Sequence, residues 1–293
     1  MLRGNLQLHS FDVACSYWRV MKISIIIPVG DNVQWKECEK NLLASAERTS
    51  SDVDLEILPC FDLAHRGAYI ARNEGLDRAT GDWIAWVDCD DEVEVNWASE
   101  ICAAIKAHPD VDVIQFDATE VVRGKTSPLT YRYKGVIEGE RFAHELLRND
   151  GMPAWLWTRV FRKSLFDGLQ FEGRVKHDYG MFLQILPRIK CVWSAGKPLY
   201  RYNRHGLGLS NYAQGMDYGL AGRRFESLIE ALPDGWRRDG YIGLALTMAD
   251  VVRHSKLEHG ARQWVLKYLR NVLSDANVPW RLKGKAVLAA VGI

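Results

Sequence analysis

The sequence lacks the features that mark several classes of protein. It contains no uninterrupted apolar run of about 18 residues, the length that a membrane-spanning helix requires. Its basic residues outnumber its acidic residues only by 38 to 37, so bulk charge does not predict a polyanionic partner such as a nucleic acid. None of the six cysteines stands in Cys-x-x-Cys spacing, which disfavours a zinc site or a disulfide framework and indicates a reducing, cytoplasmic environment.

The first 20 residues lack the basic start, the apolar middle and the small-residue cleavage site of a signal peptide. Met21 directly precedes the first clear strand. We therefore expect residues 1–20 to be a leader outside the fold, or the functional start to be Met21. The remaining composition, 47% hydrophobic and 26% charged, is that of a globular protein with one large domain, or a domain and an extension.

Residues 23–29 are almost continuously apolar and β-branched, which is typical of a strand that is buried on both faces. Further strands and intervening helices alternate after it. The predicted strands are 23–29, 55–58, 83–87 and 111–116, and the predicted helices are 33–48, 67–79 and 97–107. This alternation predicts an α/β fold with right-handed crossovers and a mostly parallel, Rossmann-like sheet flanked by helices.

The pattern changes after about residue 117. We expect a hairpin with strands at 120–122 and 131–133, another strand at 155–161, and a helix at 178–189 that Pro187 disturbs. Residues 213–293 carry mostly helical patterns and predict a helical C-terminal extension.

Three of the predicted strands end in polar residues. Strand one ends at 30–32 (Gly-Asp-Asn), strand two runs into Asp62, and strand three ends in the acidic run 88–91 (Asp-Cys-Asp-Asp). Ligands of open α/β sheets bind at such carboxyl ends. Neighbouring carboxylates repel one another, and a divalent cation such as Mn²⁺ or Mg²⁺ offsets that repulsion while it binds substrate phosphates. The run alone is equally compatible with a metal–diphosphate site and with a solvated acidic loop.

Residues 71–91 read A-R-N-E-G-L-D-R-A-T-G-D-W-I-A-W-V-D-C-D-D. This segment resembles the central signature of the family 2 inverting glycosyltransferases, which combines A-R-N-x-G, A-x-G-x-[YW]-I and a strand that ends in D-x-D-D. The first strand is also similar to that family's first strand. The resemblance implies a GT-A fold over residues 21–212, with a nucleotide-sugar half at 21–118 and an acceptor half at 119–212. The helical extension would then span 213–293.

The implied activity is transfer of a sugar, with inversion, from a nucleotide-diphosphate donor, UDP-linked by default, to a hydroxyl acceptor. The resemblance points to bacterial capsule or lipopolysaccharide synthesis, with a surface glycan or a lipid-linked intermediate as acceptor. It implies Asp90 as the ligand of a Mn²⁺ or Mg²⁺ ion and places Asp88 near the donor ribose or the metal. Pro28, Asp62 and Arg72 complete the donor-nucleotide group.

Two of these assignments need a stated chemical role. A carboxylate at Asp62 can accept the N3–H of uracil, and Arg72 can face the nucleotide or its phosphates. The alternative for Arg72 is a surface ion pair on a helix.

The acceptor half supplies a candidate base. Residues 176–179 (Lys-His-Asp-Tyr) resemble the family's Glu-Asp element, with His177 in place of the glutamate. The runs at 157–166 and 196–202 resemble the segments that flank this element. The resemblance implies that Asp178 accepts the proton of the attacking hydroxyl, which is general base catalysis. The alternative is an aspartate that is favoured at a helix N-terminus by the helix dipole.

Three departures from the family pattern support a second hypothesis. Gly30 replaces the usual base-stacking aromatic residue, the loop at 61–64 is short, and His177 replaces a glutamate. A degenerate relative that binds nucleotide or glycan without catalysis is therefore the alternative. The basic, apolar tail at 280–291 predicts either a helix packed on the domain, which we favour, or peripheral contact with the inner face of the membrane.

Overall fold

A computed structural model describes residues 21–30, 35–49, 53–148, 152–173, 175–204, 217–254 and 260–292. The expectations for the leader 1–20 and for Asp31 and Asn32 lie outside these ranges. Within them, no helix is both long enough and apolar enough to cross a bilayer.

The described residues form nine strands and nine helices. The strands are β1 (Met21–Val29), β2 (Val53–Phe61), β3 (Trp83–Trp86), β4 (Glu92–Val93), β5 (Val113–Val122), β6 (Lys125–Leu129), β7 (Gly135–Glu138), β8 (Arg159–Arg162) and β9 (Cys191–Asn203). The helices are α1 (Trp35–Ala46), α2 (Ala68–Arg78), α3 (Trp97–Ala107), α4 (Gly139–Leu147), α5 (His177–Ile185), α6 (Tyr218–Glu230), α7 (Asp234–His254), α8 (Ala261–Ser274) and α9 (Trp280–Val291).

The strands form one sheet in the order β2-β1-β3-β8-β5-β9-β4, with β6 paired to β5 and β7 paired to β9. Strands β1, β2, β3, β5 and β9 run in the same direction, and β8 and β4 are antiparallel to them. The predicted α/β class with a mostly parallel sheet is confirmed. The third and fourth predicted strands correspond to β3 and β5, and they are not neighbours in the sheet. Strand β8, from the second half of the chain, lies between them.

Strand β1 is buried on both faces of the sheet, as its sequence predicts. Ile25 and Ile27 belong to a core cluster with residues of α1 and α3. Ile26 belongs to a second cluster, on the opposite face, with residues of α2 and α4 to α9. Each of these side chains is fully buried, and such burial contributes roughly 1.5–3 kcal/mol per residue.

The predicted hairpin has a different register. Strand β5 continues to Val122, and a two-residue turn at Arg123 and Gly124 leads directly into β6. Both turn residues have positive φ, 50° and 76°, which matches the twist of a tight hairpin. Residues 125–129 therefore form the second strand, and the prediction of a strand at 131–133 was wrong. The predicted break near Pro187 is confirmed, since α5 ends at Ile185 and a 3₁₀ turn follows at 186–188.

The C-terminal helices do not have a separate core. Phe225 of α6 packs on Tyr179 of α5, and both belong to the same core cluster as Leu147 of α4. Helix α7 approaches α4 so closely that a Cβ on Gly243 would lie 1.8 Å from the carbonyl oxygen of Leu147. Helices α6 to α9 therefore share one hydrophobic core with α4 and α5.

Candidate active site

The ends of strands β2 and β3 flank the end of β1. The backbone N–H of Asp62 donates to the carbonyl of Val29 at 2.8 Å, and that of Val87 donates to the carbonyl of Ile26 at 3.1 Å. Asp62 and Asp88 thus leave the sheet at the same edge, as the sequence predicts. Pro28 lies buried in β1, in register with Cys60 of β2.

Helix α2 carries the A-R-N-E-G segment, in which Asn73 and Gly75 each make a specific contact. A Cβ on Gly75 would lie 2.3 Å from Cγ2 of Ile26, so the glycine lets α2 pack directly on β1. The side-chain amide of Asn73 donates to the carbonyl of Phe171 at 2.9 Å and accepts from the N–H of Phe171 at 2.7 Å. This motif therefore fixes α2 both to the sheet and to the segment that leads to α5.

Arg72 joins the two parts of the candidate site. Its Nη2 donates to Oδ1 of Asp88 at 3.2 Å, and its Nη1 donates to Oδ1 of Asp178 at 2.8 Å. Nη1 also contacts Nε2 of His177, which lies 3.2 Å from the same oxygen of Asp178. The Arg72 residue is only 5% exposed, so the alternative of a surface ion pair was wrong. The side chain bridges two carboxylates that are 90 residues apart in the sequence.

The Nε atom of Arg72 is buried and has no hydrogen-bond partner among the described residues. Buried guanidinium nitrogens are usually satisfied, because leaving one unpaired costs about 1–3 kcal/mol. This orphaned donor at a cluster of charged side chains is what a site with a polar ligand would provide.

The position of Asp178 depends on the turn before α5. Lys176 has a left-handed backbone, with φ of 46°, and directly precedes the first turn of the helix, which contains Asp178. Such strain in a non-glycine residue persists only where its surroundings hold it. Arg224 of α6 provides that support, because its guanidinium donates to the carbonyls of Glu172 and Val175. The C-terminal extension thus positions the candidate base.

The acidic run divides into residues with different environments. Asp91 is 3% exposed, and its carboxyl group accepts from the hydroxyl of Tyr200 at 2.9 Å and from the N–H of Asn203 at 2.7 Å. Asp90 is only partly buried, and its backbone carbonyl accepts from the side chain of Asn203. Asp91 therefore anchors the run to β9, while the Asp90 carboxylate remains at the edge of the site.

Burial shapes the electrostatics of this run. Burial raises the pKa of Asp88 to about 6, with further increases from the negative charges of Asp90 and Asp178, while Arg72 acts in the opposite direction. Burial likewise raises the pKa of Asp91 to about 9, and the charge of Asp88 adds to it. Raised pKa values in a group of carboxylates at the edge of a sheet are typical of functional sites.

A divalent cation fits this arrangement only with help from a substrate. No group of three or more His, Cys, Asp or Glu residues in the described ranges is arranged to hold a metal ion by itself. Oδ1 of Asp88 already accepts from Arg72, and the carboxyl group of Asp91 is engaged by β9. Asp90 therefore offers the oxygen ligand, which suits a cation that takes one or two carboxylates and completes its shell with phosphates.

Asp62 has well-defined partners. Its carboxylate accepts from the backbone N–H groups of Arg66 and Gly67, immediately before α2 begins, and the residue is 8% exposed. These contacts shape the short loop after β2. Recognition of a nucleobase by Asp62 stays a prediction.

An aromatic pair joins the start of α1 to the end of β2. Trp35, at the start of α1, and Phe61, at the end of β2, meet edge to face with their ring centroids 5.5 Å apart. Phe61 is 43% exposed. Trp35 was not among the predicted site residues, although an aromatic residue soon after Gly30 was a signal that could have indicated it.

Sequence reasoning also missed Asn73, Tyr200 and Asn203. Asn73 stood inside the recognised motif, and Tyr200 within a segment that already resembled a family strand. Their contacts became visible only when α5 and β9 were brought beside the acidic run. These three side chains orient the site and do not face it as ligands.

Comparison with known proteins agrees with this geometry. Residues 60–167 match the family model described as Glycosyl transferase family 2. The matched segment covers less than half of the chain, and it includes Asp62, Arg72, Asp88 and Asp90. It ends before α5, so the match does not include Asp178.

A relative from Escherichia coli (strain K12), named "Uncharacterized glycosyltransferase YibD", is 27% identical over 220 residues. The alignment covers 64% of this chain and 63% of YibD, so the chain spans less than two thirds of the length of that relative.

The fold is similar to that of S. aureus TarS, a GT-A glycosyltransferase. TarS 1–349 in complex with UDP-GlcNAc matches with a TM-score of 0.63 at 15% identity, over 93% of this chain and 88% of that chain. The complex of TarS 1–349 with UDP matches with the same TM-score at 14% identity. The GT-A fold expected from the sequence is thereby confirmed.

Proposed function

We propose that the protein is a glycosyltransferase that moves a sugar from a nucleoside-diphosphate sugar to a hydroxyl group of an acceptor. The observation that carries this proposal is the bridge from Asp88 through Arg72 to Asp178. It links the end of β3, where a donor diphosphate would bind, to the carboxylate that would act as base. The family match over residues 60–167 supports the same class of reaction.

We take the donor to be a UDP-sugar. The similarity to TarS bound to UDP-GlcNAc and to UDP supports this choice. The exposed Phe61 beside Trp35 would offer the uracil ring an aromatic surface, and base–aromatic stacking contributes about 1–3 kcal/mol per base. Asp62 lies at the same edge of the sheet and would recognise the base. Pro28 of β1 would line the part of the site that binds the base.

The chemistry follows from the position of Asp178. Its carboxylate would accept the proton of the acceptor hydroxyl as the hydroxyl oxygen attacks the anomeric carbon. The bond from that carbon to the diphosphate breaks, UDP departs, and a single displacement inverts the anomeric centre. Asp90 would hold Mn²⁺ or Mg²⁺ together with the donor diphosphate, and such a cation stabilises charge on a leaving phosphate.

Arg72 would orient both reacting partners. Its guanidinium group keeps Asp178 in place and presents a fixed positive charge beside Asp88. We infer that the acceptor is a hydroxyl of a surface polysaccharide or of a lipid-linked intermediate, handled at the cytoplasmic side. Support for the acceptor comes from the resemblance of the sequence to capsule and lipopolysaccharide enzymes.

A panel of nucleotide sugars, screened by thermal shift with and without Mn²⁺, tests the donor. A ligand at 100 times its Kd stabilises the folded state by about 2.7 kcal/mol, which is readily measured. We expect one UDP-sugar to stabilise the protein more than UDP alone does, and more strongly with Mn²⁺. No response to any nucleotide sugar would contradict the proposal.

Release of UDP from that donor then tests turnover. Asp90→Ala should abolish the metal-dependent release, whereas Asp110→Ala, which removes an exposed carboxylate outside the site, should leave it unchanged. Donor binding without turnover in the wild-type protein, across a panel of acceptors, would favour the alternative of a catalytically inactive nucleotide-binding protein. The departures at Gly30 and His177 motivate that alternative.

A further inference from the structure

The last described helix has an apolar face that is exposed among the residues that the structure describes. Trp280 of α9 is 85% exposed, and Val287, Leu288 and Val291 are exposed as well. Gly284 lies between them and is also exposed. These residues follow one another at intervals of four, three, one and three, so they share one face of the helix.

The opposite face of α9 is firmly packed. Ala286, Ala289 and Ala290 are buried, and Nε of Arg262 on α8 donates to the carbonyl of Ala290 at 2.9 Å. Lys285 forms an ion pair with Asp250 of α7. Because the helix is held by these contacts, its exposed apolar face is a property of the folded domain.

Helix α8 packs against α9 and also exposes apolar side chains. Six of the twelve large hydrophobic side chains that are exposed in the described part of the chain lie on α8 and α9, including Leu266 and Leu273. The two helices contribute 14 and 12 residues, so the exposed apolar side chains are concentrated there. An apolar face such as that of α9 marks an interaction surface, whereas single exposed apolar residues do not.

The charges of α8 and α9 indicate an anionic partner for this face. Residues 261–292 contain six basic residues and a single acidic one, Asp275, although the whole chain carries a net charge of only +1. Two of the six, Lys267 and Lys285, pair with Glu226 and Asp250 of neighbouring helices. Asp275 is buried, and its carboxylate pairs with Arg238 outside this region. Arg281 is exposed and Lys283 partly exposed at the border of the apolar face. Helix α9 contains no acidic residue at all.

We propose that α9, with the adjoining face of α8, docks on an anionic lipid bilayer. Trp280 and the aliphatic residues would enter the boundary between headgroups and acyl chains, as the apolar faces of interfacial helices do. Arg281 and Lys283 would meet the anionic headgroups. This inference does not depend on the glycosyl transfer proposed above, because none of its residues belongs to the candidate active site.

Co-sedimentation of the full chain with vesicles tests the inference. We expect binding to vesicles of phosphatidylcholine with one-third phosphatidylglycerol, and much weaker binding to phosphatidylcholine alone. Binding should fall steeply at about 1 M salt, where the Debye length is about 3 Å. A wild-type protein that stays in the supernatant with the anionic vesicles would overturn the proposal.

Two variants locate the contact. Trp280→Ser should weaken binding about tenfold, because it removes the largest apolar side chain of the face. Arg281→Glu should weaken it about 25-fold, since one unit of charge near an anionic surface changes affinity about fivefold and the substitution changes the charge by two units. Leu43→Ser is the matched control: Leu43 is 52% exposed on α1, on the opposite face of the sheet.

Both variant positions are exposed, and circular dichroism will report whether each protein is folded. Equal binding of Trp280→Ser and wild type would exclude α9 as the contact. A second copy of the chain is the competing occupant of the face. It would be indicated if sedimentation velocity showed a dimer that Trp280→Ser abolishes while no protein binds vesicles, and that result would also overturn the proposal.

Discussion

Two clusters in this protein use the same residue types in the same arrangement, but only one has the properties of an active site. In the first, Arg72 bridges Asp88 and Asp178, with His177 beside it. We call this the site cluster. In the second, Arg148 bridges Asp239 and Asp275, with His144 beside it. We call this second cluster the helix network, because it joins α4 to α7 and to the turn before α9.

The two clusters differ in how fully their carboxylates are engaged. The side chains of Asp239 and Asp275 are 4% and 8% exposed, and hydrogen bonds and charges lower the pKa of Asp275 in spite of its burial. The side chains of Asp88 and Asp178 are 31% and 23% exposed, and the pKa of Asp88 is raised. Partly exposed carboxylates and an unpartnered Nε mark the site cluster as the one arranged for a ligand.

The largest expected effect comes from removing the bridging arginine of the site cluster. Arg72→Met should lower UDP release by about 10²- to 10³-fold, because it removes a preorganised charge from the reacting centre. Arg148→Met is the matched variant in the helix network. It should leave UDP release per folded molecule within a few-fold of wild type, as measured in steady state. Equal losses in the two variants would remove the distinction between the clusters.

The carboxylates should differ most in stability. Asp239→Ala should lower the free energy of unfolding by about 3 kcal/mol, since it removes a buried carboxylate that pairs with both Arg148 and His144. Asp178→Ala should cost less, about 1 kcal/mol, because its side chain is partly exposed and the buried Arg72 keeps Asp88 as a carboxylate partner. Urea unfolding of both variants measures this difference. A costlier Asp178 variant would indicate that Asp178 is chiefly a structural residue.

A conservative change of Arg72 tests the geometry of its contacts. Arg72→Lys keeps the charge but cannot donate to two separate carboxylates in the same fixed fork. We expect UDP release about tenfold below wild type, above that of Arg72→Met, with the loss in kcat and little change in the KM for the donor. Full activity of Arg72→Lys would show that charge alone is sufficient.

The smallest effect is the pH dependence of the helix network. Because the pKa of Asp275 is lowered on folding, its contribution is fully present above the pKa of about 3.9 in the unfolded chain and is lost as the pH falls through the folded value. Wild type should exceed Asp275→Asn in stability by about 1 kcal/mol at pH 7, with the gap closing below about pH 4. Chemical denaturation across this range measures it, and a constant gap would refute the ionic contribution.

Local patterns were sufficient to predict the strands whose ends carry Asp62 and Asp88. The apolar run of β1 predicted a strand buried on both faces, and the polar strand ends predicted that Asp62 and Asp88 would share an edge. Both expectations rest on short-range periodicity and on a general property of parallel sheets.

The contact between Arg72 and Asp178 could not be derived in the same way. It joins residues 106 positions apart and depends on the left-handed Lys176 and on the support of Arg224 from α6. The insertion of β8 between β3 and β5 and the sequestration of Asp91 by Tyr200 are also tertiary effects. Local propensity carries no information about such long-range partners.

The most direct test of the proposed site compares donor affinity and turnover in Asp178→Asn. We expect the Kd of the stabilising UDP-sugar, measured by calorimetry with Mn²⁺, to stay within about twofold of wild type, while UDP release falls by about 10²- to 10⁴-fold, as expected for loss of a general base. Retained turnover in this variant would contradict the assignment of Asp178 as the base.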